Sequence, residues 1–143
     1  MNSTTQIMEL ARCRYLADLP FARSYRPGKF SAVGFPRQER ATVCQVQGRG
    51  MLKRLWTTHS GGDRIRIYLY IDGAAEPVLH GSAQEIARAA QQISCAELPL
   101  GGFLDGHSVS LYLPYRFEQG FRLEAEPTGD VGDGPYWQVD YAL

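Results

Sequence analysis

Residues Arg64–Asp72 read RIRIYLYID. Ile65, Ile67, Leu69 and Ile71 alternate with Arg64, Arg66, Tyr68 and Tyr70. That period of two belongs to a strand with one face in a core and the other toward solvent or a partner. Asp72-Gly73 then ends the run with turn residues. Working back from this strand, TVCQVQ (42–47) and MLKRLWTT (51–58) flank Gly48-Arg49-Gly50, which reads as a hairpin turn. Ser60-Gly61-Gly62-Asp63 makes the next turn. Working forward, SAQEIARAAQQI (82–93) has a helical composition and predicts a short crossover helix on the sheet edge. Four further strand-like segments follow: CAELPL (95–100), HSVSLYLPY (107–115), FRLEAE (121–126) and YWQVDYAL (136–143).

About seven or eight strands at a spacing of roughly 8–12 residues predict a sandwich or barrel. A single internal helix leaves little room for parallel βαβ units. At the N-terminus, Ile7, Leu10, Ala11 and Tyr15 share one face of a helix spanning Ser3–Ala17, which Pro20 stops. Residues 21–40, with Pro27, Gly28, Gly34 and Pro36, predict an extended, irregular arm. The expected fold is therefore all-β: a single jelly-roll antiparallel β-sandwich. It has an N-terminal helix and arm over residues 1–40, the sandwich over 41–143, and one short internal helix. The last strand needs a neighbour, so the C-terminus is expected to be tied into a sheet.

Composition limits the function classes. The 143 residues carry 15 Lys+Arg against 15 Asp+Glu. A net charge of zero offers no global field for nucleic acid or an anionic membrane. Cys13, Cys44 and Cys95 are odd in number and widely spaced. They fit neither a disulfide framework nor a zinc ribbon, and point to a reducing, cytoplasmic setting. The first residues, MNSTTQIMEL, show neither a basic start nor an apolar run of signal-peptide or membrane-span type.

From Ala11 onward, a set of landmarks resembles one bacterial family. They are LADLPFARSYRPGKFS, VQGRGMLKRLWTT, DRIRIYLYIDGAAEPVLH, HSVSLYLPYRFEQGFRLEAE and YWQVDYAL, in this order. The order is similar to the first jelly roll of glycoside hydrolase family 172. The resemblance implies two jelly rolls in tandem, oligomeric assembly, and action on furanosides such as fructofuranosyl or arabinofuranosyl linkages. It also implies kinship with double jelly-roll viral capsid proteins. The family's acidic, Gly-rich loop is replaced here by AVGFPRQER (32–40). Its catalytic glutamates belong to the second roll, so no residue here inherits their roles. The implied partner is a second copy of the chain or a companion chain supplying a second roll.

Glycoside hydrolysis requires two carboxyl groups about 5–5.5 Å apart for retention, or about 6.5–9.5 Å for inversion. Glu124 and Glu126 lie two apart on one strand, hence on one face at roughly 7 Å. A solvated outer face alternating with Leu123 and Ala125 explains them better. Asp63, Asp105 and Asp130 adjoin turn glycines and fit turn chemistry. No His-x-His pair exists among His59, His80 and His107, so neither metal nor cofactor is expected. No G-x-S-x-G elbow is present, and nothing near Cys44 in sequence would activate it.

The distinctive local content is arginine interleaved with aromatics, which suits sugar rings and protein interfaces alike. On that basis the candidate ligand-binding residues fall in three segments. Arg37, Glu39 and Arg40 lie in the arm, Trp56 and His59 at a strand end, and Tyr112, Tyr115 and Arg116 in LYLPYRF. Two functional classes stay open. One is a carbohydrate-linked protein whose site is shared between chains and takes a furanoside or other small molecule. The other is a non-catalytic, capsid-like assembly or binding module, or a repurposed small-molecule pocket.

Overall fold

The structure, a computed structural model, describes residues 27–33, 36, 38–58, 64–93, 101–105, 108–132 and 134–143. Its elements are β1 (Pro27–Val33), β2 (Ala41–Gln47), β3 (Gly50–Thr58), β4 (Ile65–Ile71), β5 (Leu79–Ser82), α1 (Ala83–Ile93), β6 (Gly101–Asp105), β7 (Ser108–Phe117), β8 (Gly120–Pro127) and β9 (Tyr136–Ala142).

One sheet has the order β1-β9-β3-β7-β6 and the other β2-β8-β4-β5, with antiparallel pairs throughout. The pairings are nested. β1 meets β9, β2 meets β8, β3 meets β7 and β4 meets β5. This is a long hairpin rolled over itself, which is the jelly roll. β6 is an added edge strand beside β7, and α1 packs against it.

The inner faces are those that the period of two assigns. Ile65, Ile67 and Leu69 of β4 are at most 1% exposed. Leu123 and Ala125 of neighbouring β8 flank them, and Leu55 of β3, Leu111 of β7 and Trp137 and Val139 of β9 join the same core from the other sheet. Each fully buried aliphatic or aromatic side chain contributes about 1.5–3 kcal/mol. β2 departs from strict alternation. A bulge between Thr42 and Cys44 leaves Val43 and Cys44 both buried.

Ser82 starts α1 with a capping box. Its Oγ accepts from the Glu85 N–H at 3.0 Å, and the Glu85 carboxylate accepts from the Ser82 N–H at 3.2 Å. Ala83, Ile86, Ala87 and Ala90 turn inward at helical spacing and extend the core between β5 and β6.

Two differences from the sequence reading concern edges. Residues Pro27–Val33, expected as irregular arm, form β1 and pair along their length with β9. The sandwich thus begins at residue 27 rather than 41. Gly101–Asp105, which lie between the expected strands CAELPL and HSVSLYLPY, form β6. In both places glycine-containing segments pair at a sheet edge where little alternation is required of them. The C-terminal strand is tied in as expected, lying between β1 and β3. The expected helix over Ser3–Ala17 and the CAELPL strand lie outside the described residues. Among the described residues, no helix is long and apolar enough to cross a membrane.

Candidate functional site

The outward face of the four-stranded sheet answers what the polar half of RIRIYLYID does. β4 and β8 pair in the register Arg66↔Glu126, Tyr68↔Glu124 and Tyr70↔Arg122. Three cross-strand pairs, Arg–Glu, Tyr–Glu and Tyr–Arg, therefore stand side by side. Arg40, just before β2, joins them from the flank. Its Nε donates to Glu124 Oε2 at 2.7 Å, its guanidinium carbon lies 3.5 Å from the centre of the Tyr68 ring, and it donates to the Tyr70 hydroxyl. Arg122 pairs through Nε with Glu124 Oε1 at 2.9 Å and stacks 4.3 Å from the Tyr70 ring. Tyr68 donates its hydroxyl to Glu126 Oε2 at 2.7 Å, and its ring stacks on His80.

The electrostatics of this face follow from these contacts. Burial opposes the Arg40 charge, but its hydrogen bond to Glu124 and the nearby tyrosines outweigh this and hold the guanidinium above its usual range. Burial, aided by the bond to Glu126, raises the Tyr68 phenol. Tyr70 is buried although it faces outward, because both arginines close over it. Each Glu124 oxygen is committed to an arginine, and one Glu126 oxygen to a phenol. The face is a network of locked planar groups, not a pair of poised carboxyls.

At one end of this sheet three turns meet. Gly48 donates its N–H to the Gln119 carbonyl and Asp72 donates its N–H to the Gly120 carbonyl, each at 2.9 Å. The Asp72 carboxylate accepts the backbone N–H groups of Glu118, Gln119 and Gly120, the shortest at 2.7 Å from Gln119. Asp72 holds a positive φ of 53°, a region that Asp tolerates better than most residues. Between these turns lies a cleft of about 420 Å³, lined by Gln45, Gln47, Tyr70, Gly73, Gln119 and Arg122 among others.

The candidate residues from the sequence do not converge. Arg40 sits in the network of the four-stranded sheet, with Glu39 exposed beside it. Trp56 and Tyr112 lie on the outer face of the five-stranded sheet, where Arg54 pairs with Asp140 at 3.3 Å and lies 5.8 Å from the Tyr112 ring. Tyr115 points inward and belongs to the core. Arg116 pairs with Glu118 at 2.6 Å at the turn end. Arg37 and His59 lie outside the described residues. The sequence reading passed over Arg122 and the three glutamines. A signal for Arg122 existed: FRLEAE presents Arg122, Glu124 and Glu126 in the same alternation that Arg66, Tyr68 and Tyr70 follow, with complementary charge. Among the described residues, no three His, Cys, Asp or Glu side chains form a group able to hold a metal.

A family model described as GH172 first beta-sandwich domain matches residues 27–143, which spans β1 to the C-terminal residue. No curated protein matches.

Proposed function

The chain belongs to the family of the GH172 first beta-sandwich domain, and from that premise we propose that it is the non-catalytic roll of a carbohydrate-acting assembly. In this reading a second roll supplies the acid and the nucleophile, either from another chain or from a stretch of polypeptide continuous with this one. The present roll positions a furanoside or related sugar and oligomerises to complete the site. One observation carries the reading. Glu124, one of the two carboxylates spaced for glycoside hydrolysis, has its two oxygens ion-paired to Arg40 and Arg122. A general acid must carry a proton to the leaving group, and a nucleophile must reach the sugar. A carboxylate held between two guanidinium groups does neither.

The same observation favours a second reading, a binding or assembly module without turnover. Aryl furanosides separate the two when offered to the purified protein alone and together with a second-roll polypeptide, with light scattering run in parallel. Turnover only with the second roll, on an oligomeric or mixed assembly, is the expected result. Assembly without turnover in either arm establishes the module instead. Hydrolysis by a monodisperse monomer of this chain overturns both.

A further inference from the structure

We propose that the cleft between the β2–β3, β4–β5 and β7–β8 turns is a binding subsite for a neutral sugar unit. The inference rests on the carbohydrate reading above and deepens it. Three amide side chains line this one cleft, Gln45 and Gln47 from β2 and Gln119 from the β7–β8 turn. None of them hydrogen-bonds a described residue through its side chain, and neither do the terminal nitrogens of Arg122. An amide presents a donor and an acceptor together, which matches the vicinal hydroxyls of a sugar. Arg122 adds donors from a guanidinium that lies 4.3 Å from the Tyr70 ring centre and is ion-paired to Glu124.

Charge and space select the ligand class. Among the described residues lining the cleft Arg122 is the only charged one, and it shares Glu124 with Arg40. The amides that dominate the lining suit a neutral polyol, which needs paired donors and acceptors rather than a countercharge. Gly48, Gly73 and Gly120 line the walls, so backbone groups stay within reach of a ligand. The Asp72 carboxylate fastens the Gln119 turn against the end of β4, so Gln119 is presented from an anchored turn.

Nuclear magnetic resonance titration with a neutral fructofuranosyl trisaccharide tests the subsite, with a galacturonate trisaccharide as the anionic arm. The expected result is a set of shift changes at Gln45, Gln47, Gln119 and Arg122. The neutral ligand should bind in the millimolar range, weakened about tenfold or more in Gln45→Ala/Gln119→Ala, for two lost hydrogen bonds. The exposed helix variant Gln91→Ala should bind as the parent does. Absence of shifts at these residues up to about 50 mM, well above a millimolar Kd, overturns the proposal. So does binding of the anionic trisaccharide as tight as that of the neutral one. Binding here is read without hydrolysis. A failed furanoside assay would sink the catalytic assembly and leave the subsite standing. A silent titration beside a successful assay would remove the subsite alone.

Discussion

The guanidinium carbon of Arg40 lies over Tyr68, 3.5 Å from the ring centre, while its Nε donates to Glu124. One residue from the segment before β2 thereby joins two neighbouring strands of the sheet, β4 and β8. Its side chain is 37% exposed, so solvent screens the ion pair and the stack carries much of the contribution. Replacing Arg40 with Ala should cost about 1 kcal/mol, and a double-mutant cycle with Tyr68→Leu should show about 0.5–1 kcal/mol of coupling. Urea denaturation of the four proteins measures it. Additive losses would mean that the stack contributes nothing. Arg40→Lys keeps the charge but loses the planar fork, and should recover less than half.

Asp72 closes the other end of the same sheet. Its carboxylate accepts three backbone N–H groups of the β7–β8 turn, and its own N–H reaches the Gly120 carbonyl. Asp72→Ala removes the acceptor and places a less tolerant residue at φ 53°. A loss of about 2–3 kcal/mol is expected from unmet N–H groups and backbone strain. Asp72→Asn keeps one acceptor oxygen and tolerates the left-handed region, so about 1 kcal/mol should be lost. Thermal melts of both variants order the two effects. Equal losses would mean that the carboxylate is dispensable and only the turn geometry matters.

Central strands were legible in the sequence because burial on one face writes itself as alternation. β4, β8 and β9 each carry it, and each lies inside a sheet. β1 and β6 were illegible for the opposite reason. An edge strand is held by backbone pairing, and PGKFSAV and GGFLD show no full period. The candidate site was readable only in part. Tyr68, Tyr70, Arg66, Glu124 and Glu126 could be placed on an outer face by parity, but not joined to Arg40, which reaches them from outside any strand. Trp56 and Tyr112 were grouped with Arg40 on composition, and the two sheets put them on opposite sides of the molecule. Composition names residue types, whereas register decides which of them meet.

Gly50 tests the register of the larger sheet. A Cβ there would overlap the Ala142 carbonyl oxygen of β9 and press on the Phe117 ring. The backbone oxygen cannot move without opening the β3–β9 ladder, because β9 is clamped between β3 and β1. Gly50→Ala should therefore cost about 3 kcal/mol, at the upper end for overpacking. Gly73 is the control, since a Cβ there meets nothing within 4 Å although its φ is +72°. Gly73→Asn should lose under about 1 kcal/mol, because Asn tolerates that region. Similar melts for the two variants would show that β3 and β9 can separate at little cost.

Cys44 gives a prediction in pH. It is 3% exposed beside the β2 bulge, and burial pushes its thiol up to about 11. A thiol raised in the fold relative to the open chain is protonated more readily in the folded state. Its contribution to stability is fully present below the ordinary thiol range, about 8.5, and is lost as pH rises through about 11. The attacking species is the thiolate, so the folded protein should be inert to aromatic disulfide reagents at neutral to mildly alkaline pH. Cys13 and Cys95 lie outside the described residues and are replaced for the test. In Cys13→Ser/Cys95→Ser no thiol should react at pH 8, and one should react at once when urea is added. Prompt reaction of one equivalent in the folded variant would mean that β2 opens readily at its bulge and that Cys44 is not sealed by the core.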